Sequence, residues 1–151
     1  MITTDQIKAL RDKTGISVMQ CKQALESADG DEGKALELLK KKGAEIAAKK
    51  SSSRNLGAGV VVSYIHTGET VGVMLELLCE TDFVAKNPEF KSVARDIGMH
   101  IAAMSPGDVS ELLEQPFIKD PSKKISDLIN NTVQKFGERT EIGQFVRFSV
   151  N

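Results

Sequence analysis

The chain has 151 residues, enough for one ordinary domain or for a small module beside a modest core. Lys and Arg number 20 against 21 Asp and Glu, a net charge of −1, which argues against a nucleic-acid binder with a broad basic face. Hydrophobic residues at 40% and charged residues at 27% exclude a disordered chain, and no apolar run approaches the ~20 residues of a membrane span.

Residues 1–43 read as three short helices. Thr3 with Gln6 fits a capping box, Ile7 and Leu10 follow at helical spacing, and Gly15 closes the first helix. Ser17 repeats the capping pattern, and Val18, Cys21, Leu25 and Ala28 give the second helix one buried stripe. Asp29-Gly30-Asp31 is a turn with Asp31 as N-cap, Ala35, Leu38 and Leu39 form the third stripe, and Gly43 is the expected stop. Residues 44–56 change character: Ala44–Lys50 is helix-prone and Ser51-Ser52-Ser53-Arg54-Asn55 is rich in breakers. This stretch reads as a flexible linker. From residue 57 a second domain is expected to run to 151.

That domain opens with a β-hairpin. Val60–Ile65 is β-branched and aromatic, His66-Thr67-Gly68-Glu69 is the turn, and Val71, Val73, Leu75 and Leu77 alternate with Gly72, Met74, Glu76 and Leu78. The second strand is apolar on both faces over part of its length, which places it centrally. Asn87-Pro88 is a helix start, followed by a stripe of Phe90, Val93, Ile97, Ile101 and Met104 that ends at Pro106-Gly107. Asp120-Pro121 repeats the cap-then-Pro signal ahead of Ile125, Leu128, Ile129, Thr132 and Phe136, with Gly137 as the stop. Ile142–Val150 alternates and completes a sheet begun by the hairpin. Antiparallel strands with helices in blocks predict an α+β fold.

Chemistry-bearing motifs are scarce. Gly57-Ala58-Gly59 has two glycines of a GxGxxG fingerprint, but Val62 stands in the third place and the segment precedes a strand instead of following one. His66 falls in the hairpin turn and is expected to be solvated, whereas His100 lies beside a helical apolar stripe. Nothing in the sequence links either to a nucleophile. Cys21 and Cys79 form neither a CxxC pair nor a disulfide framework and read as buried and inert, as a reducing compartment allows. Two Cys and two His leave no structural zinc site. Lys40-Lys41-Lys42 with Lys49, Lys50 and Arg54 reads as a solvated helix end, and no nucleic-acid partner is expected. The N-terminus, Met1-Ile2-Thr3-Thr4-Asp5, has no basic-then-apolar signal, so a cytoplasmic location without membrane contact is expected.

Two features stand out. Met19 is rotated by about 100° from Val18 and belongs on an exposed or edge position, where an adaptable side chain suits docking. Thr81-Asp82-Phe83-Val84-Ala85-Lys86 connects the apolar strand to the Asn87 helix start. Leaving Phe83 exposed there forgoes ~1.5–3 kcal/mol of burial. It is either tucked under the loop or kept for a partner.

At these residues the sequence resembles the translation elongation factor Ts family, in a short, single-core form. Ile7–Gly15 and Met19–Leu25 resemble its N-terminal signature, a module similar to ubiquitin-associated three-helix domains. Thr81-Asp82-Phe83-Val84 matches the family's TDFV motif, Glu114–Pro121 its stretch before the last helix, and Phe145-Val146-Arg147-Phe148 its closing strand. Each block is weakly specific, but four in order are highly specific. The sequence departs from the family pattern at Gly15–Val18, which retains only Met19 of a Met pair. It also runs short between Pro106 and Leu112, and Gly137-Glu138-Arg139-Thr140 replaces an acidic-amide turn.

The resemblance implies a guanine-nucleotide exchange factor that acts on elongation factor Tu without covalent chemistry and without a cofactor or metal of its own. Phe83 would then be a wedge that disturbs the partner's Mg²⁺ site, Asp82 a hydrogen-bonding contact, and Thr81 and Val84 the residues that hold the loop's shape. Arg11 and Met19 would grip the partner from the N-terminal module. A second copy of the chain could replace the half that longer members build from a second subdomain, as a homodimer with strand-bearing faces together. Outside the resemblance, the residues leave open an adaptor that uses residues 1–43 to bind helical ligands, an RNA-contacting factor, and a hydrolase built on one of the histidines.

Overall fold

The computed structural model describes residues 1–51 and 54–150. Helices α1 (Thr4–Thr14), α2 (Val18–Ser27) and α3 (Glu32–Ser51) come first. The capping signals act as expected. The Thr3 amide donates to Gln6 Oε1 at 2.8 Å while the Gln6 amide donates to Thr3 Oγ1, and Gly15 ends α1 at φ 69. Ser17 accepts from the Gln20 amide and Asp31 from the Lys34 amide. These helices bury their own core of Leu10, Ile16, Cys21, Ala24, Leu25, Ala28, Ala35 and Leu39.

Three expectations fail in this region. Val18 and Leu38 are exposed, so the stripe of α2 begins at Cys21 and that of α3 rests on Ala35 and Leu39. Gly43 does not stop its helix, because α3 runs through it to Ser51. The reason is packing. A Cβ on Gly43 would stand 2.7 Å from Gln134 Oε1 and 3.4 Å from the Asn130 carbonyl, so this glycine lets α3 lie directly on a later helix. The Ser-rich breaker falls partly on Ser52 and Ser53, which lie outside the described residues.

Strands β1 (Ala58–Ile65) and β2 (Val71–Cys79) form the hairpin, whose turn uses positive φ at Gly68 and Glu69. A short helix α4 (Asp82–Ala85) precedes α5 (Pro88–Met104). Asn87 caps α5 by accepting from the Glu89 amide at 2.9 Å. After α6 (Val109–Glu114), the strands β3 (Pro116–Phe117) and β4 (Asp120–Lys124) pair with each other, followed by α7 (Ile125–Phe136) and β5 (Glu141–Ser149).

The Asp120-Pro121 signal therefore does not open a helix. Asp120 Oδ1 accepts from the Ser122 amide and hydroxyl, a local turn that feeds β4, and α7 starts five residues after Asp120. The Lys124 amide donates to Asp127 Oδ2, which satisfies the start of α7 instead.

The main sheet has the order β1-β2-β5, all antiparallel, with β2 central as its two-sided apolar pattern requires. One face, carrying Val73, Leu75, Leu77 and Ile142, packs under α5 and α7 with Phe90, Ile97, Ile101, Ile125 and Ile129. The fold is α+β. Among the described residues no helix is long and apolar enough to cross a membrane.

Candidate partner-binding site

The site grows from the end of the central strand. Cys79, the last residue of β2, is buried, and its Sγ donates to the Thr81 carbonyl at 3.2 Å. Burial, followed by the negative charge of Glu138, pushes this thiol's pKa up, so it stays a protonated, inert group. Cys21 is buried as well.

Beyond Cys79 the chain turns into α4. Thr81 is its N-cap, yet its hydroxyl does not cap; it donates to Glu138 Oε2 at 2.6 Å. The Ala85 amide donates to the Thr81 carbonyl and the Lys86 amide to the Asp82 carbonyl. Val84 and Ala85 point into the sheet–helix core. A single turn of helix that buries its third and fourth residues must present its first two outward. Asp82 and Phe83 are accordingly exposed, and Phe83 keeps 88% of its surface in water. Phe83 is therefore not tucked under the loop.

The other residues expected at the site stand on the three-helix part. Arg11 is exposed near the end of α1, and its carbonyl accepts the C-cap bond from the Gly15 amide. Met19 is 65% exposed on α2, beside exposed Val18. The two lie on successive packed helices, remote in sequence from the Thr81–Val84 turn.

Glu138 escaped sequence reasoning, as did its partners Glu80 and Arg139. Glu138 Oε1 accepts from the amides of Glu80 and Thr81 at 3.1 and 2.9 Å. The Arg139 amide donates to Glu80 Oε2 at 2.6 Å, and the Arg139 guanidinium binds Glu141 and the Arg54 carbonyl. The only signal was indirect. If β5 pairs beside β2, the turn before β5 must lie next to the residues after β2, and Leu78 is indeed opposite Glu141.

Each histidine has its own local contacts. His66 is exposed and contacts Tyr64 Oη at 3.0 Å through Nδ1. His100 is fully buried, with Nε2 on Gln115 Oε1 at 2.9 Å and Nδ1 accepting from the Ile118 amide at 3.2 Å. Among the described residues no group of three or more His, Cys, Asp or Glu side chains is placed to hold a metal ion.

Comparison with known proteins places this geometry in context. A family model described as Elongation factor TS matches residues 16–111 and 80–151. Elongation factor Ts of Thermodesulfovibrio yellowstonii is 41% identical, with 99% of this chain and 96% of that protein covered. Elongation factor Ts of Carboxydothermus hydrogenoformans is also 41% identical, over 99% and 89%, and that of Oleidesulfovibrio alaskensis is 38% identical, over 99% and 98%. These alignments run over 193 to 195 positions, longer than the chain itself, so the relatives carry segments that this chain lacks.

Proposed function

Because the chain belongs to the elongation factor Ts family, we propose that it is a guanine-nucleotide exchange factor that binds elongation factor Tu carrying GDP and promotes GDP release, clearing the site for GTP. The observation that carries this reading is Phe83, a large apolar side chain held out on a helical turn whose neighbours Val84 and Ala85 are locked in the core. An exposed aromatic on a rigid support is a typical anchor for a protein partner.

No covalent chemistry is involved. A GTPase holds its nucleotide through backbone amides, a P-loop Lys and a Mg²⁺ ion bridging phosphate oxygens. A factor that binds best to a state lacking some of those contacts lowers nucleotide affinity, and by linkage GDP lowers the affinity for the factor by the same ratio. Phe83 is the wedge in this scheme. Asp82 hydrogen-bonds to the partner, Thr81 and Val84 keep the turn in shape, and Arg11 and Met19 grip a second place on the GTPase.

Two separate apolar cores support a division of labour. Residues 1–43 are the gripping module, 44–56 the connection, and 57–151 the exchange core. A homodimer through the open sheet face belongs to the same proposal.

The test is release of a fluorescent GDP analogue from elongation factor Tu, chased with excess GDP. The chain is expected to accelerate release strongly, and Phe83→Ala to abolish most of that gain, as loss of an interface anchor costs ~2 kcal/mol or more. Acceleration that survives Phe83→Ala would move the site to the N-terminal module. No acceleration from the folded chain would favour an adaptor that uses the exposed Val18–Met19 surface.

A further inference from the structure

We propose that Glu138 is the positioning residue of the partner-binding turn: its carboxylate holds the residues that lead into α4, so that Phe83 is presented in one orientation before the partner arrives. The inference rests on the reading of Phe83 as the wedge.

Phe83 is almost wholly exposed, so its own side chain does little to fix its position. The turn must therefore be held at its two ends. Downstream, Val84 and Ala85 are buried against the core. Upstream, Glu80 and Thr81 have passed the last pair of the β2–β5 ladder, Leu78 with Glu141, so the sheet no longer fixes them. Glu138 takes over there. One carboxylate collects three donors: the amides of Glu80 and Thr81 on Oε1 and the Thr81 hydroxyl on Oε2. Hydrogen bonds to an ionised acceptor are about twice as strong as neutral ones.

Glu138 is itself well placed. Gly137 ends α7 in the left-handed conformation, φ 72, and turns the chain so that the next residue faces the end of β2. Arg139 then closes a return path. Its amide binds Glu80 Oε2, and its guanidinium binds Glu141 at the start of β5. Arg54 reaches Glu80 Oε1 at 3.5 Å from the other side. The two strand ends are thus stapled together by reciprocal contacts: Glu138 binds the backbone beside Glu80, and Glu80 binds the backbone beside Glu138.

A positioning role has a kinetic signature distinct from that of a contact residue. Without the clamp the turn samples several orientations and only a fraction is competent, so the apparent affinity falls by that fraction. Once bound, the turn is held by the partner and the maximal effect is retained. Removing the wedge itself lowers the maximal effect.

The experiment titrates the full chain against elongation factor Tu loaded with a fluorescent GDP analogue, and follows amide hydrogen exchange of the free chain in parallel. Glu138→Ala is expected to raise the half-saturating concentration about tenfold while the plateau rate stays within about twofold of the wild type. Glu138→Gln keeps an oxygen for both amides and should restore most of the affinity. Thr81→Val removes one donor of three and should shift the half-saturating concentration less than Glu138→Ala does. In the free Glu138→Ala chain, the amides of residues 80 and 81 should lose protection while the centre of β2 keeps its own.

An unchanged titration for Glu138→Ala, beside an active wild type, would overturn the proposal. So would a loss of protection spread over the whole sheet, which marks a general loss of stability. If the wild type itself fails to release GDP, the functional reading falls. The clamp is then decided by exchange alone: selective loss at residues 80 and 81 upholds it, and unchanged protection there refutes it.

Discussion

Two phenylalanines seven residues apart show how environment assigns a role. Phe90 is fully buried and stacks edge-on with Phe136, with ring centroids 6.2 Å apart, whereas Phe83 lies in water. Truncating Phe90 to alanine should cost about 3–5 kcal/mol of stability. Phe83→Ala should change stability by no more than about 0.5 kcal/mol, since it removes no core contact. Urea unfolding of both variants checks this pair, and a large loss for Phe83→Ala would return that side chain to the core. The sequence made Phe83 conspicuous because it stands between a strand pattern and a helix cap. It could not say which way the ring points, because that depends on Val84 and Ala85 finding the core.

His100 carries the pH dependence that belongs to this scale. Burial lowers its pKa, partly offset by its bond to Gln115, and Nδ1 must stay unprotonated to accept from the Ile118 amide. The folded state therefore resists a proton that the unfolded state accepts near pH 6.5. Its contribution is complete above that pH and is lost as the pH falls from there toward the depressed folded value. Unfolding free energy measured from pH 7.5 down to about 5 should decline in the wild type and decline less in His100→Phe. Equal slopes would remove His100 as the cause.

Among the elements, α3 departs furthest from the pattern in the sequence. Glycine after an apolar stripe normally marks a C-terminus, and it does so at Gly15 and Gly137, which adopt positive φ. Gly43 is helical, and its missing Cβ serves the crossing of α3 over α7. Single-sequence reasoning sees the same residue type in both cases, and only the partner helix distinguishes them. The crossing is reinforced by an ion pair between Lys40 and Asp127 at 3.2 Å, and α7 is also tied to α2 by a hydrogen bond from Gln134 Nε2 to Gln20 Oε1 at 2.9 Å. Gly43→Leu should force the two helices apart. The expected cost is about 1–3 kcal/mol in thermal or urea unfolding, despite leucine's better helix propensity. A stabilised variant would mean that α3 does not need this contact. The misread start at Asp120 has a similar origin. An Asx-type turn and a helix cap use the same residues, and the pairing of Phe117 with Asp120 decides between them.

At the scale of the whole molecule, the main sheet is covered on one side only. Register places Ile65, Gly72 and Phe148 in one row of the other face and Ser63, Met74 and Val146 in the next, with Val61 beside them. Val61, Ile65, Met74, Val146 and Phe148 are all exposed, and a Cβ on Gly72 would stand 2.8 Å from Ile65 Cδ1, so the isoleucine already lies across the glycine. The alternation of these strands was legible in the sequence, and with it which residues share a face. That the second face stays uncovered was not, because helices later in the chain could have packed on either side. A contiguous apolar face of this kind is unusual on a monomer. An isologous dimer would bury it by setting the two sheets face to face, the spacing at which sheet sandwiches interdigitate. Sedimentation at micromolar concentration should then show a species of twice the 16.4 kDa chain mass. Phe148→Glu should reduce it to the monomer, since a buried unpaired carboxylate is costly. The same variant should keep Phe83 and its clamp unchanged, because the sheet face and the Thr81–Val84 turn share no residue. A wild type that sediments only at the monomer mass would leave this face to elongation factor Tu. Phe148→Glu would then weaken acceleration of GDP release instead of altering the mass.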